Sequence, residues 1–306
     1  MINVKPNYNV PSIKNGFILL DKPSGISSNA ALQQLKRLLK VKKMGHTGSL
    51  DPLASGMLPV CIGEATKFSQ YLLNADKEYI VTAQLGSKTT TGDAEGEIIE
   101  TKPIPPLTTN DILAVLEQFK GSIQQIPSMY SALKHNGQPL YKLARAGIEV
   151  ERKPRTVQIY KLEFVEYKDE KLSLVIHCSK GTYVRTLVED IGAVLGCGAY
   201  VTILRRSQVA AFESQEMLTY EQIQQLLEAN SHDKFILPIE QMLQHFSAIS
   251  LSKSGEFYFS RGQTVNITDK DISGFVRVYR SDDQFMGLGE IIEPGMVSPK
   301  RLILKQ

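Results

Sequence analysis

The segment from Gly45 to Pro59, Gly-His-Thr-Gly-Ser-Leu-Asp-Pro-Leu-Ala-Ser-Gly-Met-Leu-Pro, sets three glycines and two prolines around a single carboxylate, Asp51. Glycine tolerates positive φ and proline fixes it, so the backbone there is an irregular loop with defined turns. An Asp-Pro step alone is an ordinary turn former. Here the apolar run Met57 to Gly63 follows at once and reads as a buried strand, so Asp51 is positioned beside a core element rather than merely solvated. A carboxylate held in that way can act as a nucleophile. Arg185 stands out on separate grounds. It falls in the first turn of a helix that opens after Gly181-Thr182-Tyr183, where a cation meets the unfavourable end of the helix dipole. A nearby carboxylate would account for it.

The elements that must position these groups follow from periodicity. Gly16 to Lys22 reads as a buried strand stopped at Pro23. Ser27 or Ser28 caps a helix with Leu32, Leu35 and Leu39 on one face, and that helix delivers the chain to the loop. Beyond it, Ala65, Phe68 and Leu72 mark a helix over Glu64 to Asn74, and Tyr79, Val81, Ala83 and Leu85 share one face of a strand. Ser87 to Gly96 reads as a polar loop, followed by a helix behind a Thr109 cap that carries Leu113 and Leu116, with Ile112 and Phe119. Thr156 to Tyr167 and Lys171 to Ser179 form a hairpin, Val184, Leu187, Ile191 and Leu195 face inward from the next helix, and Leu204-Arg205-Arg206 lies in a strand from Ala199 to Ala211. An acidic helix (Glu216 to Ala229), a linker at Leu237 to Glu240 and short alternating segments from about Phe246 complete the chain as a small β-domain.

With 306 residues, 42% hydrophobic and 22% charged, the composition is that of a globular protein of one large domain and one small one. A net charge of +3 distinguishes little, but its distribution says more. Lys36, Arg37, Lys40, Lys42 and Lys43 run into the Asp51 loop, whereas Asp93, Glu95, Glu97 and Glu100 lie well away from it in sequence. Ile126 to Arg155 is broken by Pro127, Gly137, Pro139, Gly147 and Pro154, and it interleaves Tyr130 and Tyr141 with Lys134, His135, Lys142, Arg145, Arg152 and Lys153. Cations neutralise phosphates and rings stack on unpaired bases, so this stretch suits RNA. Cys61, Cys178 and Cys197 have no metal-type spacing, and neither a Walker phosphate loop nor a dinucleotide glycine fingerprint is present. No metal and no small-molecule cofactor are expected. The amino terminus lacks a signal-peptide core and no apolar run reaches transmembrane length, so the expected compartment is the cytoplasm, with no membrane partner.

The run from Gly45 to Val60 resembles the signature loop of the tRNA pseudouridine synthases of the B type, and Lys22-Pro23-Ser24-Gly25 and Ser-Met-Tyr-Ser-Ala-Leu-Lys from Ser128 to Lys134 are similar to further family stretches. The resemblance covers residues 16–211 well and the C-terminal region weakly. It implies an α+β fold: a mixed, mainly antiparallel sheet with flanking helices, plus a small C-terminal β-barrel-like domain. The catalytic domain would span 1–245, with an RNA-clamping insertion at about 126–155, and a PUA-like RNA-binding domain would span 246–306. The implied activity is isomerisation of a uridine in the T loop of tRNA, at position 55, on a flipped base. In that reading Asp51 is the nucleophile, Arg185 holds it, and Tyr79 stacks on the base and moves a proton. His46 fills the disrupted loop, and Tyr183 and Leu204 complete the pocket. Lys22, Lys134, Arg205 and Arg206 meet the RNA, and the partner of this monomer is the tRNA T-arm. Two other classes stay open on the residues: a non-catalytic tRNA-binding and folding protein, and a hydrolase with an aspartate nucleophile, although the phosphatase pattern of two aspartates flanking one residue is absent.

Overall fold

The computed structural model describes residues 15–303, so the amino-terminal stretch read above for a signal core lies outside the described residues. Strands β1 (Gly16–Lys22), β2 (Met44–His46), β3 (Ser55–Ile62), β4 (Lys77–Leu85), β5 (Ser87–Thr89), β6 (Ile98–Thr101), β7 (Gly121–Gln125), β8 (Lys134–His135) and β9 (Gln138–Pro139) occupy the first half. They are followed by β10 (Arg155–Lys168), β11 (Lys171–Cys178), β12 (Ala199–Val209), β13 (Ser247–Ser250), β14 (Val265–Asn266), β15 (Gly274–Tyr279), β16 (Phe285–Glu293) and β17 (Met296–Leu302). The helices are α1 (Ser28–Leu39), α2 (Ser69–Leu73), α3 (Thr109–Glu117), α4 (Leu140–Arg145), α5 (Val184–Val194), α6 (Tyr220–Glu228) and α7 (Lys253–Phe259).

The large sheet has the order β1-β3-β12-β4-β11-β10-β7, with β2 added on β3. Its neighbours are antiparallel except at one seam, where β3 and β12 run parallel for only two residue pairs, Arg205 with Ser55 and Arg206 with Gly56. At that seam Gly56 has φ +96°, and a Cβ there would stand 2.3 Å from the Arg206 carbonyl oxygen. Only glycine permits so close an approach, and the Asp51 loop leaves the sheet at this point.

Helices α1, α3 and α5 pack their apolar faces on one side of the sheet, with Leu35, Leu39, Ile112, Leu187 and Ile191 against Leu58, Val81 and Leu174. A second core lies across β1 and β3, where Phe17, Leu19, Met57 and Cys61 meet Phe68, Phe212, Met242 and Leu243. Because β1 is buried on both faces, Phe17 to Leu20 reads as an unbroken apolar run rather than an alternating one. The C-terminal sheet, ordered β13-β15-β16-β17-β14, closes on its own core of Phe259, Val276, Val278 and Val297. It also lends Leu288 to the second core of the large unit.

Local differences from the sequence reading have simple causes. Ser87 to Gly96 is not all loop, since β5 pairs antiparallel with β6. The cap of α3 is Thr108, not Thr109, because Asp111 stands three residues on and completes a capping box, with Asp111 N–H donating to Thr108 Oγ1 at 3.2 Å. The face that α3 packs on the sheet carries Ile112 and Leu116, and Leu113 points outward at 40% exposure. The helix expected over Glu64 to Asn74 is a 3-10 turn (Gly63–Phe68) followed by α2. The presumed linker is a packed segment: Leu237 exchanges backbone hydrogen bonds with Phe17 at 3.0 and 2.8 Å. Among the described residues no helix is long and apolar enough to cross a membrane.

Candidate active site

The loop holding Asp51 is braced from below by the turn between β1 and α1. The first residue of α1, buried Ser28, accepts from the Leu50 N–H at 2.7 Å and donates to the Leu50 carbonyl at 3.0 Å. Ser24 Oγ donates to the Leu53 carbonyl at 2.7 Å, and the Gly25 N–H donates to Pro52 O at 2.8 Å. Lys22 is fully buried, with Nζ donating to the carbonyls of Pro23 at 2.8 Å, Ile26 at 2.7 Å and Pro52 at 3.5 Å. Burial lowers its pKa to about 8, against the pull of Asp51 and Glu95. The expectation that Lys22 meets RNA is therefore corrected: its ammonium is enclosed and holds the turn to the loop.

Above this brace lies a cavity of about 430 Å³ lined by His46, Asp51, Lys77, Tyr79, Ser131 and Tyr183 among others. Such a volume suits one nucleoside-sized ligand. Asp51 Oδ2 accepts from Arg185 Nε at 2.9 Å. Arg185 is buried at 5% exposure, and its remaining donors reach Asp93 Oδ2 at 3.3 Å, the Thr91 carbonyl at 2.8 Å and the Tyr130 carbonyl at 2.9 Å. Those partners explain the cation in the first turn of α5. Burial holds the Asp51 carboxyl above its ordinary value and Asp93 adds to this, while Arg185 and Lys22 oppose it. Arg185 therefore orients the carboxylate more than it acidifies it.

The other expected residues separate by strand geometry. Tyr79 lines the cavity at 8% exposure, and burial pushes its phenol above the ordinary value, so it is protonated at neutral pH. His46 lines it too, with its imidazole held below the usual value by burial and by Arg206, and its buried Nδ1 has no hydrogen-bond partner. Tyr183, just ahead of α5, forms a wall, with the Arg155 guanidinium 4.5 Å from its ring centroid. Leu204 is in the main core and not in the cavity wall. Register sets Arg206 opposite Tyr79 and Arg205 opposite Ile80 across β12 and β4, so the two arginines point to opposite faces. Arg206 is 1% exposed and donates Nε to the Met57 carbonyl at 2.7 Å and Nη2 to the Gly48 carbonyl at 3.2 Å. Arg205 makes a bidentate pair with Asp21 at 2.9 and 2.7 Å, on the face away from the cavity. In this structure both guanidinium groups are engaged by protein oxygens, Arg206 in the interior and Arg205 in a partly exposed pair. Lys134 is exposed in the insertion.

Sequence reasoning missed Asp93, Gln125, Ser131 and Arg155. Asp93 seemed remote, yet its loop adds to the start of β12, where the Ala94 N–H donates to Val201 O and the Val201 N–H to Gly92 O. This places a 2% exposed carboxylate on Arg185. Gln125 and Arg155 are opposite one another in the β7–β10 register, at the two roots of the insertion. Gln125 accepts from the Tyr183 N–H at 3.0 Å and donates to the Tyr183 carbonyl at 3.2 Å. One arginine at the end of a basic stretch and one of two adjacent glutamines give no sequence signal of such roles.

Solved structures place this architecture. The chain superposes with TM-score 0.72 on an H/ACA RNP bound to a substrate RNA containing 2′-deoxyuridine, at 23% identity over 95% of this chain and 85% of that one. A Cbf5-Nop10-Gar1 complex matches equally, at 24% identity over 98% and 89%. The fold is thus that of the pseudouridine synthases. Family models refine the class: "TruB family pseudouridylate synthase (N terminal domain)" matches residues 36–184, "tRNA pseudouridylate synthase B C-terminal domain" residues 185–244, and "Pseudouridine synthase II TruB, C-terminal" residues 247–303. Curated proteins named tRNA pseudouridine synthase B are similar over nearly their whole length. The Coxiella burnetii protein is 52% identical over 95% of this chain and 96% of its own, and that of Stutzerimonas stutzeri 51% over 94% and 95%. The Yersinia pestis protein is 48% identical over 95% and 93%. The chain belongs to the TruB family of pseudouridylate synthases, and it is an isomerase.

Proposed function

We propose that this chain converts a uridine in the T loop of tRNA, at position 55, into pseudouridine, with Asp51 as nucleophile on a nucleotide flipped into the cavity. The observation that carries the reading is a carboxylate with one oxygen held by buried Arg185 and the other without a partner among the described residues, on the wall of a nucleoside-sized cavity. A base stacked inside a folded loop cannot reach that carboxylate until it is extruded. With Asp51 bonded to the ribose C1′ or to the uracil ring, the N1–C1′ bond breaks and the uracil turns; the bond to Asp51 is then released, C5 is bonded to C1′, and the C5 proton goes to solvent while N1 takes one up, so the product is an isomer of the substrate with the carboxylate free again. No net oxidation occurs, so the chain's own groups suffice. Tyr79 is the stacking wall and, as a neutral phenol, a donor rather than a base. His46 and Tyr183 line the path of the base, and Leu204 backs the pocket from the core.

RNA contacts come from exposed cations: Arg37, Lys40, Lys42 and Lys43 beside the loop, and Lys134, Lys142, Arg145 and Lys153 on the insertion. The C-terminal sheet from Ser247 onward acts as an auxiliary RNA-holding unit of a cytoplasmic monomer. The test is Asp51→Asn on T-arm RNA, with pseudouridine read as a base that keeps its carbodiimide adduct under alkali. Loss on the order of 10⁴-fold with RNA affinity kept is expected. An equally active Asp51→Asn protein would refute the nucleophile. A wild-type protein that binds and folds the RNA without forming pseudouridine would favour a purely RNA-folding role.

A further inference from the structure

We propose that the hydroxyl of Ser131 is a substrate-contacting group that hydrogen-bonds the base or sugar of the flipped nucleoside; the inference rests on the uridine-isomerising reading above. Ser131 lies on the insertion, is 3% exposed, and lines the same cavity as Asp51 and Tyr79. Its Oγ is buried with no hydrogen-bond partner. A buried hydroxyl in that condition is unfavourable unless something else in the working cycle satisfies it.

The distribution of such atoms points to the cavity. Among the described residues seven buried side-chain nitrogen or oxygen atoms lack a partner, and four of them are His46 Nδ1, Ser131 Oγ and Arg155 Nε and Nη2. His46 and Ser131 line the cavity, and Arg155 stacks on its wall residue Tyr183. Unmet hydrogen-bonding capacity is therefore gathered where a polar ligand would enter. A serine hydroxyl rotates and can donate or accept, which fits the uracil carbonyl and imide groups and the ribose hydroxyls alike.

Ser131 is also fixed relative to the reacting centre. The carbonyl of its neighbour Tyr130 accepts from Arg185, the residue that holds Asp51, and the Ser131 carbonyl accepts from the Tyr141 N–H at 3.1 Å, at the start of α4. The chain of contacts Asp51, Arg185, Tyr130, Ser131 joins the insertion to the carboxylate. A hydroxyl delivered this way meets the nucleoside only once the base has been flipped, so it acts after RNA binding.

Ser131→Ala separates this role from a structural one. Removing a hydroxyl that bonds nothing in the free protein should leave the melting temperature equal or higher. RNA Kd should stay within about twofold, because phosphate contacts dominate it, while the single-turnover rate at saturating enzyme falls roughly 2- to 12-fold, the worth of one neutral hydrogen bond. Ser131→Cys, near in size but a weak donor, should recover part of the rate. Thr186→Val is the control, since Thr186 Oγ1 is likewise buried and unpartnered but does not line the cavity; it should leave the rate unchanged. A wild-type rate in Ser131→Ala overturns the proposal, and so does a lowered melting temperature, which would make the hydroxyl structural. If the wild-type protein itself forms no pseudouridine, the reading of function fails and this inference with it.

Discussion

Replacing Arg185 by methionine would leave Asp93, 2% exposed, without its ion-pair partner. Removing one member of a buried pair costs about 3–5 kcal/mol. Asp93 keeps two bonds, from Thr91 Oγ1 at 2.6 Å and the Glu95 N–H at 3.1 Å, so we expect the lower end, about 3 kcal/mol. At about 2–4 °C per kcal/mol the melting temperature falls by roughly 6–12 °C. Asp93→Asn is milder, about 1–2 kcal/mol, because Arg185 still reaches Asp51 and the carbonyls of Thr91 and Tyr130. The double variant still leaves Asp51 without its guanidinium, a loss it shares with Arg185→Met, but it no longer buries an unpaired Asp93 charge, so it should be more stable than the sum of the single costs by about 2 kcal/mol. Thermal melts of the four proteins at one pH and salt concentration supply the cycle. Additivity to within about 0.5 kcal/mol would show that the carboxylate and guanidinium do not act as a unit, and the account of the site would be wrong.

In Asp93→Asn the charge that helps raise Asp51 is gone, so the acid limb of the single-turnover pH profile should move to lower pH; an unmoved or raised limb contradicts the electrostatic assignment. Because the folded-state value of Asp51 is raised, its stabilising contribution is present below its ordinary value of 3.8 and is lost as pH rises through the folded value. Asp51→Asn should therefore melt at or above wild type at neutral pH, with the advantage shrinking towards pH 3.8, and a lower neutral-pH melting temperature would count against this. Lys22→Met removes three carbonyl contacts beneath the loop, so the rate should fall while RNA affinity and its salt slope stay as in wild type; a shallower slope would mean that Lys22 meets phosphate after all. Gly56→Ala forces a Cβ against the Arg206 carbonyl, and we expect a loss of at least about 3 kcal/mol, with a wild-type denaturation midpoint as the refuting result.

What the sequence disclosed and what it hid divide along a physical line. Short-range chemistry was legible: Ser27 caps α1, Leu32, Leu35 and Leu39 are buried, and the alternation of β4 sets Tyr79 with Val81 and Ala83. Asp51 and Arg185 were each marked by a local anomaly, a carboxylate in a braced loop and a cation at the wrong end of a helix, and they meet at 2.9 Å. Contacts made by sheet topology were not legible. Asp93 reaches Arg185 only because its loop adds to the edge of β12, and Gln125 finds Arg155 only through the β7–β10 register. Burial of charge was misread for the same reason. Lys22 and Arg206 look like RNA ligands in a list of basic residues, yet each saturates backbone carbonyls around the loop. Alternation alone would have told that Arg205 and Arg206 point opposite ways, but only the pairing with Ile80 and Tyr79 says which faces the cavity. A cation enclosed by carbonyls, or paired as Arg205 is with Asp21, has little left to give a phosphate. Under the proposed function, counterion release on binding comes from the exposed cations at the end of α1 and just after it and from those of the insertion, whose Ser131 also lines the cavity.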